Sequence, residues 1–533
     1  MTSKPLYLRQ NVLVEPLINQ WYAWTYLISP ATAALYITNL HLKIIRSFIA
    51  NPQIHISALK NPAMIGGPFI AHDSSRVGEI KDLLEKTEKE QAHMLEFAEA
   101  VKNLNKLLTT EADGYSLESL YQKISETLKG YVELVYDLNN YPSVRFIEGL
   151  LYKSYYYNPY LQSVSLSLVH QDDRIFALST PRLKEDKCLF LNKAFRHEGL
   201  DELFKMRETP QSLGYIKEAL GVEDKQEGLF SSFFTEEKPQ IYSKHSENVI
   251  RIRYFGHACI LIESKDISIL CDPLISYKYD DYRINRYTIA DLPKSIDYVL
   301  ITHNHQDHCN LESLLSLRYK IKNVIVPRNG GGMLEDPSLK LVLQNIGFNS
   351  VREVDEMEEI KIEGGTITGL PFFGEHGDLN IRSKIAYLLK LEGKSILCAA
   401  DSNNLESKVY TYIHNLYGDL DVLFLGMECD GAPFSWLYGP LLTKSLSRKM
   451  DQSRRLNGSN YERAINIAKQ LHSKKVYVYA MGQEPWTTHL TSIKYTEESH
   501  PILESNKLIE VCRSQGITAE RLFGHKEIFL ELN

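Results

Sequence analysis

Residues 302–308, Thr-His-Asn-His-Gln-Asp-His, place three histidines and one aspartate within a single short loop. Neutral imidazoles suit borderline transition metal ions, and a carboxylate adds a hard, anionic oxygen donor. In an extended loop His303 and His305 point to the same side, whereas the adjacent Asp307 and His308 can reach a second ion. Four donors this close together rarely serve one ion, so the pattern predicts a site for two metal ions.

Two ions need more donors than this loop holds, and three later segments supply candidates directly after predicted strands. Residues 372–377 contain Glu375 and His376, residues 398–402 contain Asp401, and residues 483–489 contain His489. Glu375 and His376 are neighbours and either one could be the ligand, so the residues alone leave that choice open.

The elements that must position these donors begin at residue 249, where strands and helices start to alternate. The predicted strands are 250–254, 259–262, 267–270, 296–302, 323–326, 366–372, 386–391, 395–398, 422–425 and 476–479, and helices are predicted at 311–317 and 461–471. Two sheets covered by helices are the natural packing for this order, so the fold class is α/β.

The N-terminal half is predicted to be a mixed, mainly helical domain. Apolar residues recur at helical spacing over 80–108 and again over 117–135, and strand-like alternation appears at 164–168. Residues 223–248 are charged and polar, as in a linker. We therefore divide the chain into domains at 1–245 and 246–533.

Composition excludes several classes of protein. The 533 residues carry a formal net charge of -7 and contain no basic block with interleaved aromatic residues, which argues against a nucleic acid partner. Residues 16–42 have no charged side chain, but polar residues interrupt them, so we predict buried helices of a soluble domain rather than a membrane span.

The cellular compartment is predicted from the N-terminus and the cysteines. Residues 1–5 lack the features of a signal peptide, and the seven cysteines include no CxxC pair, which fits reduced thiols. We expect a cytoplasmic protein.

The order of the donors along the chain is typical of one fold. A His-x-His-x-Asp-His string after a strand, followed by a ligand, an aspartate and a final histidine after later strands, resembles the metallo-β-lactamase superfamily, an αββα sandwich. The resemblance covers residues 248–533 and implies the fold without specifying the reaction.

A second resemblance covers both halves of the chain. The phrases at residues 21–24, 29–34, 66–69 and 179–183, joined to this metal domain, are similar to the diiron β-hydroxylase family of chloramphenicol biosynthesis. That family hydroxylates the β-carbon of an amino acid held as a thioester on a nonribosomal peptide synthetase carrier domain. The resemblance implies O2 as co-substrate, an external electron donor and a homodimer resting on the apolar N-terminal segment.

The family's ligand pattern carries over onto seven residues of this chain. It implies two iron ions, one bound by His303, His305 and Glu375, the other by Asp307, His308 and His489, with Asp401 bridging them. Glu375 stands where hydrolases of this fold have a histidine. In the catalytic set we include Glu375 together with His257, Glu428 and Asp430, the last three as partners that orient ligands.

The negative charge of Glu375 affects which class of reaction the metal site favours. Two divalent ions with three carboxylates sum to about +1, against about +2 with two carboxylates, and hard anionic donors favour oxidised iron over acidified water. Two alternatives remain open: a dinuclear zinc or manganese hydrolase of a lactone, phosphodiester or amide, and a carrier-binding protein without catalysis.

Overall fold

The computed structural model describes residues 4–240, 242, 248–279 and 283–532. The domain boundary predicted near residue 245 lies outside these described residues. The N-terminal half consists of strands β1 (Tyr7–Leu8), β2 (Val12–Ile18), β3 (Trp21–Tyr22), β4 (Val132–Tyr136), β5 (Pro142–Phe146), β6 (Gln162–Leu168), β7 (Leu189–Leu191) and β8 (Phe234–Thr235). Its helices are α1 (Thr25–Ile28), α2 (Pro30–Tyr36), α3 (Leu42–Ala50), α4 (Pro52–Leu59), α5 (Val77–Glu90), α6 (Ala92–Glu111), α7 (Glu148–Leu151), α8 (Glu198–Lys205), α9 (Leu213–Leu220) and α10 (Glu227–Ser231).

Helices dominate this half, as predicted, around a small antiparallel sheet. The sheet has the order β3-β2-β6-β7, and its longest pairing joins β2 to β6 from Val12↔Leu168 to Ile18↔Gln162. Strand β1 pairs with β8, so the start and the end of this half lie side by side.

One predicted helix is wrong. The run at 117–135 forms a short 3-10 helix, Leu117–Lys123, and then strand β4, which pairs with β5 in a hairpin. Gly130 takes a positive φ of 79°, which ends any helical path. Apolar β-branched residues such as Val132 and Val135 satisfy a helical period locally but fit a strand when a hairpin partner follows.

The C-terminal half contains strands β9 (Val249–Gly256), β10 (Cys259–Glu263), β11 (Ser268–Cys271), β12 (Ile296–Leu300), β13 (Ile321–Pro327), β14 (Val351–Val354), β15 (Glu359–Ile362), β16 (Gly365–Leu370), β17 (Ala386–Leu391), β18 (Lys394–Cys398), β19 (Val422–Gly426), β20 (Lys475–Tyr479), β21 (Thr518–Arg521) and β22 (Lys526–Glu531). Its helices are α11 (Leu311–Leu317), α12 (Leu339–Asn345), α13 (Lys408–Tyr417), α14 (Phe434–Tyr438), α15 (Arg448–Ser453), α16 (Tyr461–Gln470), α17 (Thr488–Thr491) and α18 (His500–Ser514).

These strands form two seven-stranded sheets with a buried apolar layer between them. The orders are β14-β13-β12-β11-β10-β9-β22 and β15-β16-β17-β18-β19-β20-β21. Ile252 and Ile260 of the first sheet and Leu389 and Phe424 of the second belong to one fully buried cluster. Helices α13, α16 and α18 cover the outer face of the second sheet. The predicted αββα sandwich of the α/β class is confirmed.

The N-terminal half covers the outer side of the first sheet. Its strands β2, β6 and β7 share a buried cluster with helices α11 and α12. Beneath this contact, Arg174 binds Glu15 on β2 at 2.8 Å and Glu312 on α11 at 2.7 Å, and Arg182 binds Glu15 at 2.8 Å. The two halves are therefore joined through buried charges as well as apolar packing.

The uncharged segment 16–42 lies inside the chain's own core. It forms part of β2, then β3, α1, α2, a π-helical turn at Ile37–His41 and the start of α3, and it packs against Phe434 and Leu437 of α14. Its apolar character is thus used within one chain, which removes it as a reason to expect a dimer. Among the described residues, no helix is long and apolar enough to span a membrane.

Candidate metal centre

The histidine-rich loop leaves β12 at the edge where the sheets meet and runs into α11. The backbone carbonyl of Thr302 accepts a hydrogen bond from the N–H of Ile385 at 2.8 Å, and His303 forms an isolated antiparallel β-bridge with Lys384. The segment before β17 therefore holds the loop in place. His303, His305 and His308 are buried. The loop therefore presents its donors inward and toward the second sheet.

One group of donors combines His303, His305 and Glu375. The Glu375 carboxylate lies 2.7 Å from His305 Nδ1 and 3.8 Å from His303 Nε2. Glu375 follows β16 and adopts a positive φ of 68°, which a non-glycine residue rarely takes and which turns its side chain into the group. These three atoms can ligate one ion.

Asp401 lies between this group and the next. Its Oδ2 is 3.0 Å from His308 Nε2 and 3.8 Å from His303 Nε2. A Cβ on Gly426 of the neighbouring strand β19 would stand 2.4 Å from Asp401 Oδ1, so glycine there makes room for the carboxylate. Its position between the two histidines is that of a bridging ligand.

Asp307 faces His257, which is 3.3 Å away through Nε2. The N–H of Gly482 donates to His257 Nδ1 at 3.2 Å. Since the Gly482 N–H occupies Nδ1, the Nε2 atom of His257 is the ring nitrogen that faces the Asp307 carboxylate. Burial raises the pKa of the Asp307 carboxyl, but the His257 hydrogen bond and nearby His308 hold it well below its usual range.

Several donor atoms of these residues are buried without a hydrogen-bond partner, as expected of atoms that ligate a metal ion. His303 Nε2, His308 Nε2, Glu375 Oε2 and Asp401 Oδ1 are all buried and unpaired. An unpaired buried polar atom costs about 1–3 kcal/mol. Four such atoms converging from different strands fit two divalent cations, which take neutral imidazole and carboxylate donors of this kind.

Two further residues hold the ligands, and the sequence analysis did not assign them this role. Asp272, after β11, accepts from His308 Nδ1 at 2.8 Å and from the Thr302 hydroxyl at 2.6 Å. Tyr438 on α14 contacts His305 Nε2 at 3.0 Å and His376 Nδ1 at 2.7 Å through its hydroxyl. An Asp-Pro pair after a strand is a weak signal for Asp272, and Tyr438 has no signal in the sequence.

His489 lies outside the groups formed by the other predicted ligands. After β20 the chain turns through a 3-10 helix, Pro485–Thr487, into α17, which carries His489 toward Arg174 and Tyr22 of the N-terminal half. Among the described residues, the donor group containing Asp307 and His308 is completed by His257 instead. Both ring nitrogens of His489 are buried without a hydrogen-bond partner, so its role as a metal ligand stays a prediction.

The remaining predicted residues divide between the site and the surface. Glu428 lines the same cavity as the ligands. Asp430 is exposed and binds His500 Nδ1 at 2.7 Å, so its side chain does not contact the ligand groups. His376 Nε2 is 3.1 Å from Glu375 Oε2, which makes it a neighbour of the carboxylate rather than a member of the group.

We expect Glu375→Gln to lose bound metal and His376→Gln to retain two ions when metal is saturating. Glutamine removes the anionic charge that faces His303 and His305, whereas His376 is already engaged by Tyr438. Metal content of both purified variants, measured by mass spectrometry, checks this. If His376→Gln lost metal and Glu375→Gln kept two ions, then His376 and not Glu375 would be the ligand.

Above the ligands lies a cavity of about 580 Å³. Its floor includes His305, Asp307, Glu375 and Asp401, and its walls are mostly apolar. The wall residues come from both halves of the chain: Ala63, Met64, Ile65, Gly66, Gly67, Pro68 and Phe69 from the first, and Ala432, Pro433, Trp436, Leu437, Leu456 and Ile493 from the second. The site is thus a cleft between the two halves of the chain, with the candidate ligands at its base and mostly apolar walls.

Both halves match known family models. Residues 7–239 match a model described as the diiron non-heme β-hydroxylase N-terminal domain, and residues 251–431 match a β-lactamase superfamily domain. A 4-amino-L-phenylalanyl-[CmlP-peptidyl-carrier-protein] 3-hydroxylase of Streptomyces venezuelae is 39% identical over 97% of this chain and 98% of its own length.

A solved structure and a more distant relative complete the comparison. The crystal structure of CmlA, a diiron β-hydroxylase of Streptomyces venezuelae, superposes with a TM-score of 0.93 at 37% identity, covering 99% of this chain and 100% of that one. A metal-dependent hydrolase of Pyrococcus furiosus is 26% identical over 33% of this chain and 72% of its own length. Similarity to the β-hydroxylases therefore extends over both halves.

Proposed function

Because this chain belongs to the family of diiron non-heme β-hydroxylases, we propose that it hydroxylates the β-carbon of an amino acid held as a thioester on a peptidyl carrier protein. The observation that carries the proposal is the donor group His303, His305 and Glu375 beside a bridging Asp401, in a chain that matches a β-hydroxylase over nearly its whole length.

Seven residues would hold two iron ions. The first ion would be bound by His303, His305 and Glu375, the second by Asp307, His308 and His489, and Asp401 would be shared between them. Iron bound there supplies the capacity to activate O2 with electrons from an external donor.

The other residues of the site orient and protect this centre. Asp272 and Tyr438 fix the rings of His308 and His305, and the His257 ring lies against Asp307 with its Nε2 at 3.3 Å. The apolar walls of the cavity keep water from the reacting carbon and let the aminoacyl group lie over the ligands. Three carboxylates at the centre favour oxygen chemistry over hydrolysis for the charge reason given above.

Three parts of the proposal go beyond the family. All seven cysteines are free thiols, as expected in a reducing compartment, and we place the enzyme in the cytoplasm with a cytoplasmic reductant. We also propose a homodimer, as in the sequence-based expectation. Light scattering of the purified chain tests the dimer.

The function is tested by counting metals and following O2. We expect about two irons per chain, O2 uptake after chemical reduction, and a product one oxygen atom heavier when a peptidyl carrier protein loaded with 4-amino-L-phenylalanine is supplied. Mass spectrometry of the carrier gives the mass change. Two zinc ions with neither O2 uptake nor a mass change would instead identify a hydrolase.

A further inference from the structure

The cavity contains one ionisable side chain that neither belongs to the metal-ligand groups nor contacts them. Glu428, after β19, lines it together with apolar residues such as Met64, Trp436 and Ile493. No lysine or arginine lines this cavity in the part of the chain that the structure describes. A carboxylate without a counter-charge therefore faces the space that a substrate would occupy.

The contacts of Glu428 hold its carboxylate in place without neutralising it. The Tyr495 hydroxyl donates to Oε1 at 2.7 Å, and the N–H of Gly431 donates to Oε2. Burial raises the pKa of Glu428 to about 7, and the neighbouring acids Asp430 and Asp401 act in the same direction. Both donors are uncharged, so among the described residues no ion pair competes for Glu428, and a cation entering the cavity would itself favour the ionised carboxylate.

An aminoacyl thioester brings such a cation. Its α-amino group has an ordinary pKa of about 7.7–8.0 and is protonated at neutral pH. The α-ammonium is one carbon away from the β-carbon that is hydroxylated, so both must lie in the cavity that contains Glu428 and the metal ligands. Charge-assisted hydrogen bonds between ammonium and carboxylate are about twice as strong as neutral ones.

We propose that Glu428 binds the α-ammonium group of the carrier-bound amino acid and so selects substrates with a free amine over those whose amine is absent or acylated. The proposal deepens the proposed function and rests on it for the identity of the substrate. Glu428 thereby orients the aminoacyl group over the metal ligands and excludes peptidyl or N-acylated intermediates of the same carrier.

The test measures binding, which needs neither O2 nor turnover. A peptidyl carrier protein is loaded with three acyl groups: 4-amino-L-phenylalanyl, 3-(4-aminophenyl)propanoyl, which lacks the α-amine, and L-phenylalanyl, which lacks the ring amine. Fluorescence anisotropy gives the Kd of each for the metal-loaded enzyme. We expect the group without the α-amine to bind at least about 30-fold more weakly, and the group without the ring amine to bind within about 5-fold of the first.

The variant Glu428→Gln should remove this discrimination. Its Kd for the two α-amino groups should rise at least about 30-fold, with little change for the group that lacks the α-amine. Glu428→Asp keeps the charge and should restore part of the preference. Glu498→Gln, which changes an exposed carboxylate near Tyr495, is the matched control and should bind like wild type.

Several outcomes would overturn the assignment. Equal binding of all three acyl groups by wild type, or an unchanged preference in Glu428→Gln, would show that Glu428 does not recognise the α-amine. A loss confined to the L-phenylalanyl group would assign Glu428 to the ring amine. Because the wild-type measurement needs no variant, misfolding of Glu428→Gln cannot obscure the answer, and absent hydroxylation with intact discrimination would count against the proposed function alone.

Discussion

Purified Asp401→Ala is expected to contain at most one metal ion per chain and to lose detectable hydroxylation. Asp401 Oδ2 lies 3.0 Å from His308 Nε2 and 3.8 Å from His303 Nε2, so its removal takes a donor from both groups at once. Mutation of a residue that only orients a ligand typically weakens metal affinity by about 10–100-fold. Loss of a ligand shared by two ions should exceed that range. Metal analysis and single-turnover assays measure the two effects.

Asp266→Ala is the matched control for this result. Asp266 is an exposed aspartate of the same sandwich, in the turn between β10 and β11, and it should leave metal content unchanged. Thermal unfolding of both variants separates metal loss from misfolding. Two tightly bound ions in a folded Asp401→Ala protein would contradict the bridging assignment.

Arg174→Met is expected to destabilise the folded chain by about 3–5 kcal/mol. Arg174 is the cation that Glu15 and Glu312 share, and burial raises the pKa of Glu15 while Arg182 and Arg174 hold it well below its usual range. Removing Arg174 leaves two buried carboxylates with Arg182 alone. Urea unfolding monitored by circular dichroism measures the free energy, and added Glu312→Met should recover part of the loss.

The exposed ion pair Arg46–Glu88 provides the comparison. It has a similar N–O distance of 2.7 Å, but its side chains are 56% and 41% exposed, against 12%, 8% and 7% for Arg174, Glu15 and Glu312. Arg46→Met should therefore cost no more than about 1 kcal/mol. Equal losses in the two variants would mean that burial of the Arg174 network contributes nothing to stability.

The central strands and the histidine loop could be predicted because their signals are local. Strand Ala386–Leu391 and helix Leu311–Leu317 have the predicted bounds, since the strand is mostly apolar and the helix repeats leucines at three- and four-residue spacing. The unpredicted strands β14, β15, β21 and β22 are the four edges of the two sheets. Edge strands carry charged residues that prevent pairing with other chains. These charges interrupt the apolar pattern from which strands are predicted.

Those site residues that directly follow a strand could be predicted from the sequence. His303, Glu375 and Asp401 each follow a strand of the sandwich, and the structure brings them together. His489 also follows a strand, but the turn after β20 places its ring 6.0 Å from that of Tyr22, so its role as a ligand stays a prediction. Tyr438 reaches His305 from a short helix far along the chain, and no local pattern encodes such a contact.

The pairing of β22 with β9 affects how the enzyme is made. Lys526↔Tyr254 to Glu531↔Val249 join the last strand of the chain to the first strand of the metal domain, in the sheet whose strand β12 leads into the histidine loop. At about 5–20 residues per second, a ribosome needs roughly 15–60 s to make the chain between them. Throughout that time β9 remains an open edge, so iron loading should follow the synthesis of β22, and chains that end before β22 should aggregate through β9.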